Sequence, residues 1–360
     1  MITPRSLTRR ARGALRYAGG RDAPEVGATP RELVWSRDTA RLWRYESDAV
    51  TSSPPVLIVH SLVSRSYVLD LYRGNSAIAF LLRAGLDVLL LDWEEPDEAD
   101  AENTLETYAD DYLPRAIAAA CAVTGARELT VLGYCLGGDL ALLCVARHPE
   151  LPVRNLALMA TPVDFSHMGA LSGLVRAGRL NAPDLVDRSG NVPATSVETS
   201  FRLLKPTGEA AQYANLWQRL CDEEYVAGYQ AMNRWVHDHV PFPGAAFGQL
   251  VEQLVRDNAL MAGTLELAGR RVDLGAIRCP VLNVVAERDH IVPLAAAEPL
   301  LGLVGSKEKE ELRLAAGHAG LVAGRKAAKV TLPGIAGWFK AHSSAIPSHA
   351  DVRMCSDADS

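Results

Sequence analysis

Apolar and polar positions along the chain alternate between two patterns. Apolar runs at Val56–Val59, Asp87–Trp93, Leu129–Leu132 and Val153–Ala160 are of the kind expected for strands covered on both faces. Between them lie segments with helix-like apolar spacing. The first is Ser76–Ala84, stopped by Gly85. A longer one runs from about Thr104 to Val123, capped by Thr104 with Thr107 nearby, kinked at Pro114 and ended by Gly125. Gly138–His148 follows the third strand directly. Ahead of this series, Arg31–Arg37 and Thr39–Glu46 show the partial alternation of an antiparallel strand pair. Regular strand and helix alternation predicts a mostly parallel sheet wrapped by helices on both faces.

The alternation lapses over 164–278, where helical patterns dominate and Trp217, Tyr225, Tyr229 and Trp235 gather. An insertion there is expected to form a helical cap over the carboxyl edge of the sheet, where ligands of open α/β sheets bind. Strand character returns at Pro280–Val285 and again at Glu311–Leu314, and a last helix is expected over about Arg325–Phe339. The chain therefore divides into a leader (1–30), a core (31–163 and 279–340), the cap insertion (164–278) and a loose polar tail (341–360).

Composition narrows the function classes. A formal net charge of −6 gives no overall electrostatic case for nucleic acid. The six cysteines lack C-x-x-C spacing, which argues against a disulfide framework or a zinc site and fits a reducing cytoplasm. No run approaches the roughly 18 to 20 apolar residues needed to cross a bilayer, and the N-terminus has no signal-peptide pattern. Six arginines from Arg5 to Arg21 precede the first acid, Asp22. That basic leader reads as a solvated terminus, with an acidic or lipid surface as the alternative partner.

The chemistry centres on Leu129–Gly138, where an apolar run ends on Gly133-Tyr134-Cys135-Leu136-Gly137 and a helix pattern begins. This is the layout of the nucleophile elbow of the α/β-hydrolase fold, with a thiol where serine usually stands. Such a nucleophile needs a base and a group to orient it, in the chain order nucleophile, acid, histidine. Asp289 follows the returning strand and His318 the last one, both expected at the same sheet edge as Cys135. Asp92 and Asp164 also follow strands but fit that order less well, and His290 stands next to Asp289 as a rival base. Cys144 is expected in the core. Oxyanion donors are expected from the backbone N–H of Leu136 and from the loop after the Val56 strand, at Leu62 or Val63, of which Val63 is taken. No metal site is expected: His237-Asp238-His239 lacks a third convincing ligand and reads as a solvated cap loop.

With these residues assembled, the chain resembles the polyhydroxyalkanoate synthases, whose elbow is G-x-C-x-G-G. The resemblance extends through Tyr67–Leu71, Asp87–Trp93 with Pro96, Gly133–Gly138, Met159–Phe165, Asp289–Pro293, Gly305–Lys307 and Gly317-His318, in family order over about Thr29 to Trp338. It implies that Cys135 is acylated by a 3-hydroxyacyl-coenzyme A thioester, with His318 as general base and Asp289 orienting it or assisting deprotonation of the incoming hydroxyl. It implies no separate cofactor, since coenzyme A enters as part of the substrate. With only about 30 residues ahead of the matched region, the chain resembles the short catalytic subunit that works with an activating partner subunit, as a hetero-oligomer or homodimer, at a polymer-granule surface in the cytoplasm.

Two positions depart from the family pattern. Ser64-Arg65 stands where many members have asparagine and a basic residue, and Asp139 replaces a small or hydroxyl residue after Gly137-Gly138. A carboxylate one turn behind a thiolate would disfavour its ionisation unless it points away. These departures leave open a divergent acyltransferase or thioesterase that makes no polymer, or a granule-associated pseudoenzyme.

Overall fold

In the computed structural model, residues 23–47, 50–204 and 215–345 are described. The strands of its main sheet are, in chain order, β1 (Arg31–Arg37), β2 (Ala40–Tyr45), β3 (Ser52–Val59), β4 (Leu86–Asp92), β5 (Leu129–Tyr134), β6 (Val153–Met159), β7 (Val281–Ala286), β8 (Lys309–Leu314) and the two-residue β9 (Ser344–Ala345). They lie side by side as β1-β2-β4-β3-β5-β6-β7-β8, with β9 added against the start of β3. From β4 to β8 all neighbours are parallel, and β2 is antiparallel to both β1 and β4. Registers such as Val59 with Gly133 and Gly133 with Leu158 bring the carboxyl ends of the central strands to one edge.

Central strands are buried on both faces because helices cover each side. One layer holds α1 (Ala77–Arg83), whose N-cap Ser76 accepts a hydrogen bond from the Ala79 N–H at 2.9 Å. The opposite layer holds α2 (Leu113–Thr124) and α3 (Leu136–Arg147). Leu113, Ile117, Leu140 and Leu143 pack with Leu57, Leu89 and Val131 on that side, while Ile78, Leu81, Ile335 and Phe339 pack with Val56, Ile58 and Leu90 on the other. Between β6 and β7 the described chain is mainly helical, with α4 (Gly169–Arg176), α5 (Ala194–Leu203), α6 (Glu223–Val236) and α7 (Gly244–Gln249), plus two short strand pairs separate from the main sheet. The last long helix, α8, spans Leu332–Ala341. No helix among the described residues is long and apolar enough to cross a membrane.

Several local expectations change. Thr104 and Thr107 do cap the long helix, each side chain meeting the other's N–H at 3.0 and 3.3 Å. Pro114, however, does not interrupt a continuous α-helix. The turn before it, Thr107–Tyr112, is a π-helix, so the proline enters at the start of α2, where its missing N–H is tolerated. A second π-helical turn, Ala327–Thr331, precedes α8 and its Pro333 in the same way. The segment from Ala341, read as loose, is tied down as far as Ala345. Its His342 carbonyl accepts from Arg154 Nε at 3.0 Å and Asn155 Nδ2 at 3.3 Å, and Ser344–Ala345 pairs with Ser52–Ser53. At the other end, Gly27 and Thr29 are bonded to Asp70, while the arginines from Arg5 to Arg21 lie outside the described residues.

The helix that begins at the elbow is anchored at its far end. Arg147, 3% exposed, forms a two-pronged ion pair with Asp110 at 2.7 and 2.6 Å and donates to the carbonyls of Leu267 and Arg270. Removing one partner of a buried pair leaves the other charge uncompensated. Asp110→Ala is expected to destabilise the fold by about 3 kcal/mol, read as a lower urea midpoint with an unchanged slope. A loss under about 1 kcal/mol would show that the pair is not an anchor.

Candidate active site

The turn between β5 and α3 is set by steric necessity. Cys135 adopts φ 55° and ψ −129°, a left-handed conformation that costs a non-glycine residue energy and is found where function demands it. Its N–H donates to the Met159 carbonyl at 2.9 Å, and its own carbonyl accepts from Gly138 at 2.8 Å. Helix and strands approach so closely that side chains are excluded on either side of the cysteine. A Cβ on Gly133 would lie 2.4 Å from the Gly138 Cα, and one on Gly137 would lie 2.3 Å from the Val59 carbonyl oxygen. The thiol is thereby carried on a short, rigid corner and remains partly exposed.

Asp289 and His318 converge on that corner from the ends of β7 and β8. One Asp289 oxygen accepts from the N–H groups of Ile291 and Val292 at 2.8 and 2.9 Å, and the other meets His318 Nδ1 at 2.7 Å. His318 and the Cys135 thiol line the same cavity. Burial alone would lower the imidazole pKa, but the Asp289 carboxylate and the Cys135 sulfur oppose it and take the pKa up to about 10. The imidazole is thus held as a cation beside the Asp289 carboxylate. Of the two candidate bases, His318 and not His290 is the ring that Asp289 holds, and His290 lines the cavity beside it. Asp164 is engaged elsewhere, with Ser166 and Asn258. Asp92 accepts from Ser66, and Cys144 is buried.

Two further titratable groups surround this relay. His60, fully buried at the end of β3, has its pKa pushed down to about 4 by burial and is neutral. Its Nε2 meets the Ser64 carbonyl at 3.0 Å, and its Nδ1 has no partner among the described residues. The Tyr134 ring lies between it and His318, with centroids 6.0 and 5.1 Å away. Asp139 does not point to solvent: it is 1% exposed and neither carboxyl oxygen has a partner among the described residues. Burial, and then the charge at Cys135, raise its pKa well above the usual carboxylate range, so it is protonated.

A cavity of about 1230 Å3 opens over the thiol. Helix α6 runs along it, presenting Glu224, Tyr225, Gly228, Tyr229, Met232 and Trp235 over about 16 Å at 1.5 Å per residue. The C-terminal end of α6 is latched to the loop after β3. Trp235 Nε1 donates to the Arg65 carbonyl at 2.8 Å, Tyr67 Oη donates to Asp238 at 2.9 Å, Arg65 pairs with Asp238 at 3.4 Å, and His239 Nδ1 lies 3.0 Å from the Val63 carbonyl. The His237-Asp238-His239 segment is therefore a docking point and not a solvated loop. Its histidines are used separately, His237 on the Asn233 carbonyl and His239 stacked on Phe201. Among the described residues no group of three His, Cys, Asp or Glu is arranged to hold a metal ion.

Of the two expected oxyanion donors, Val63 lines the cavity and Leu136 follows the nucleophile directly in the chain. As the first residue of α3, Leu136 has an N–H with no intrahelical acceptor. Val63 lines the cavity, and its N–H makes a long 3.5 Å contact with Ser61 Oγ. Sequence reasoning missed His60, which ends a strand at the same edge as Cys135, a signal that was available. It placed His239 in a solvated loop, because the true position of that ring depends on how α6 docks.

The sequence profile of the alpha/beta hydrolase fold matches residues 54–324. The chain is 36% identical over 323 residues to the poly(3-hydroxyalkanoate) polymerase subunit PhaC of Allochromatium vinosum, covering 88% of this chain and 90% of that protein. It is 34% identical over 326 residues to the subunit of the same name from Thiocystis violacea, covering 89% and 91%. Among solved structures, an esterase from Thermogutta terrifontis superposes with a TM-score of 0.51 at 16% identity, over 88% of this chain and all of that one, a likeness in fold.

Two pH dependences follow from the burial of these groups. An acid whose pKa is raised on folding has its full stability below the unfolded value, about 3.9 for Asp, and loses stability as pH rises above it. Asp139→Asn is therefore expected to gain stability over the parent between about pH 4 and pH 8 in urea titrations; a pH-independent difference would contradict a protonated Asp139. His318, raised from 6.5 to about 10, contributes stability that is complete below about 6.5 and is lost as pH rises through 10. The parent should accordingly lose its advantage over His318→Gln across that window, and parallel curves would show that the imidazole is not held as a cation.

Proposed function

The chain belongs to the poly(3-hydroxyalkanoate) polymerase family of the α/β-hydrolase fold, and on that premise we propose that it polymerises 3-hydroxyacyl groups from coenzyme A thioesters through a covalent intermediate on Cys135. The observation that carries this reading is the single imidazole of His318, hydrogen-bonded to Asp289 at 2.7 Å and lining the same cavity as Cys135.

In the first half of the cycle the Cys135 thiolate attacks the acyl carbon of the thioester. A carbon–sulfur bond to Cys135 forms, the bond to coenzyme A breaks, and His318 gives its proton to the departing sulfur. The oxyanion formed on the way is stabilised by the N–H groups of Leu136 and Val63. In the second half, the now neutral His318 accepts the proton from the 3-hydroxyl of another thioester molecule. The alkoxide oxygen takes the acyl group, Cys135 leaves as thiolate, and the lengthened thioester can acylate it again. Asp289 orients the ring and stabilises the imidazolium in both halves.

A thiol suits such a cycle because exchange between thioesters is nearly thermoneutral, so the acyl group stays activated until the alcohol arrives. The helices between β6 and β7 act as a cap that keeps water from the acyl-enzyme. Coenzyme A enters as part of the substrate and no separate cofactor is needed. The relatives are named as subunits, which supports action with an activating partner subunit, and the product being insoluble, work at a granule surface.

The test is the intact mass of the protein after incubation with 3-hydroxybutyryl-coenzyme A. One or more acyl units should appear on the parent, none on Cys135→Ala, and acylation of His318→Ala should be slower by about 10³-fold or more. Acylation of Cys135→Ala would end the proposal. Coenzyme A release without polymer, with a partner subunit present, would reassign the site to a thioesterase.

A further inference from the structure

Three consecutive backbone carbonyls in the loop after β3 each face a ring nitrogen. The Val63 carbonyl lies 3.0 Å from His239 Nδ1, the Ser64 carbonyl lies 3.0 Å from His60 Nε2, and the Arg65 carbonyl accepts from Trp235 Nε1 at 2.8 Å. A carbonyl oxygen only accepts, so the facing nitrogen of each histidine carries the hydrogen. His60 stands at the end of a sheet strand, whereas Trp235 and His239 belong to α6 and the segment after it. Sheet and cap thus grip the same short loop from two sides.

His60 takes no part in the cycle above, and its placement costs stability. The ring is fully buried, and its Nδ1 has no partner among the described residues. What the ring does is close the loop. Its own backbone carbonyl accepts from Trp93 Nε1 at 2.8 Å, and Nε2 returns to Ser64, meeting the carbonyl and lying 3.2 Å from the hydroxyl. From the cap side, the half-buried His239 ring is stacked on Phe201 with centroids 4.9 Å apart. Burial favours the neutral form of both histidines, which leaves each ring a single N–H, spent on the loop.

The Val63 N–H, by contrast, has only the long contact with Ser61 Oγ at 3.5 Å. Peptide units are planar, so holding the Val63 and Ser64 carbonyls fixes two successive units directly beyond that N–H. An oxyanion is stabilised by a donor already in place when the charge develops, and a carbonyl turned toward it would repel it.

We propose that His60 and His239 are positioning residues for the oxyanion donor, holding the carbonyls of the loop from the sheet side and the cap side so that the Val63 N–H faces the acyl oxygen. This rests on the acylation of Cys135 proposed above, with Val63 as a donor. One consequence is that the oxyanion hole is complete only while the cap is docked, since two of the three ring donors belong to it.

Substitutions can separate the N–H from the ring that bears it. His239→Asn offers an amide N–H close to the position of Nδ1, His60→Gln offers one close to that of Nε2, and leucine at either position keeps bulk without a donor. With 3-hydroxybutyryl-coenzyme A, His239→Leu and His60→Leu should each lose about 10-fold or more in kcat for coenzyme A release, with KM within about twofold of the parent, and Asn or Gln should recover most of the loss. Alkylation of Cys135 by iodoacetamide forms a carbon–sulfur bond, expels iodide and develops no oxyanion, so its rate should match in the parent and every variant. Parental kcat in both leucine variants would overturn the inference. So would Asn and Gln variants as slow as the leucine ones, or alkylation slowed in step with kcat, since either result would mean general damage to the site. Should His60→Leu fail to fold, the His239 pair decides, because that ring is only half-buried. No coenzyme A release by the parent would sink the proposed function and this inference with it, whereas equal kcat in an active parent and the leucine variants would sink this inference alone.

Discussion

Everything at the reaction centre depends on how closely the first turn of α3 approaches the ends of β3 and β5. At Gly137 the gap to the Val59 carbonyl is too small for a methyl group, and at Gly133 the same is true toward Gly138. This contact holds Cys135 in its left-handed conformation at the start of α3. Loops bearing Asp289 and His318 then need only reach a point already fixed by backbone packing. The far end of the same helix is held through Arg147, so the corner is neither free to rotate nor to recede.

Burial assigns charge in this site as much as ion pairing does. His318 is charged because the Asp289 carboxylate holds its ring against the effect of burial, and His60, equally buried but bonded to a carbonyl, is neutral. Asp289 has three hydrogen-bond donors on its oxygens, and Asp139 has none among the described residues and stays protonated. Residues of the same type thus take opposite roles through their surroundings, which composition alone cannot reveal.

Much of this was legible in the order of residues. Central strands were readable because they are buried on both faces, and the elbow because glycine has no substitute where backbones nearly touch. Asp289 and His318 followed from chain order and from strand ends that share an edge. What escaped depended on tertiary docking. The π-helical turns ahead of Pro114 and Pro333 leave no periodic signature, the pairing of Ser344–Ala345 with β3 is a contact between distant segments, and the latch around Asp238 and His239 exists only once α6 lies over the loop after β3. The burial of Asp139 likewise turned on the packing of a whole helix face. Sequence posed the question of its charge but had no means to answer it.

The two ends of α6 are held very differently. Its C-terminal end is fixed by neutral and charged contacts through Trp235, Asp238 and His239, whereas Glu224 at its other end meets Arg325 at 3.6 Å with both side chains largely in solvent. A surface pair of that kind contributes about 0 to 1 kcal/mol. The spacing of the cavity roof above Cys135 is therefore set from the C-terminal end of α6, where Trp235, Asp238 and His239 clamp the helix to the loop after β3.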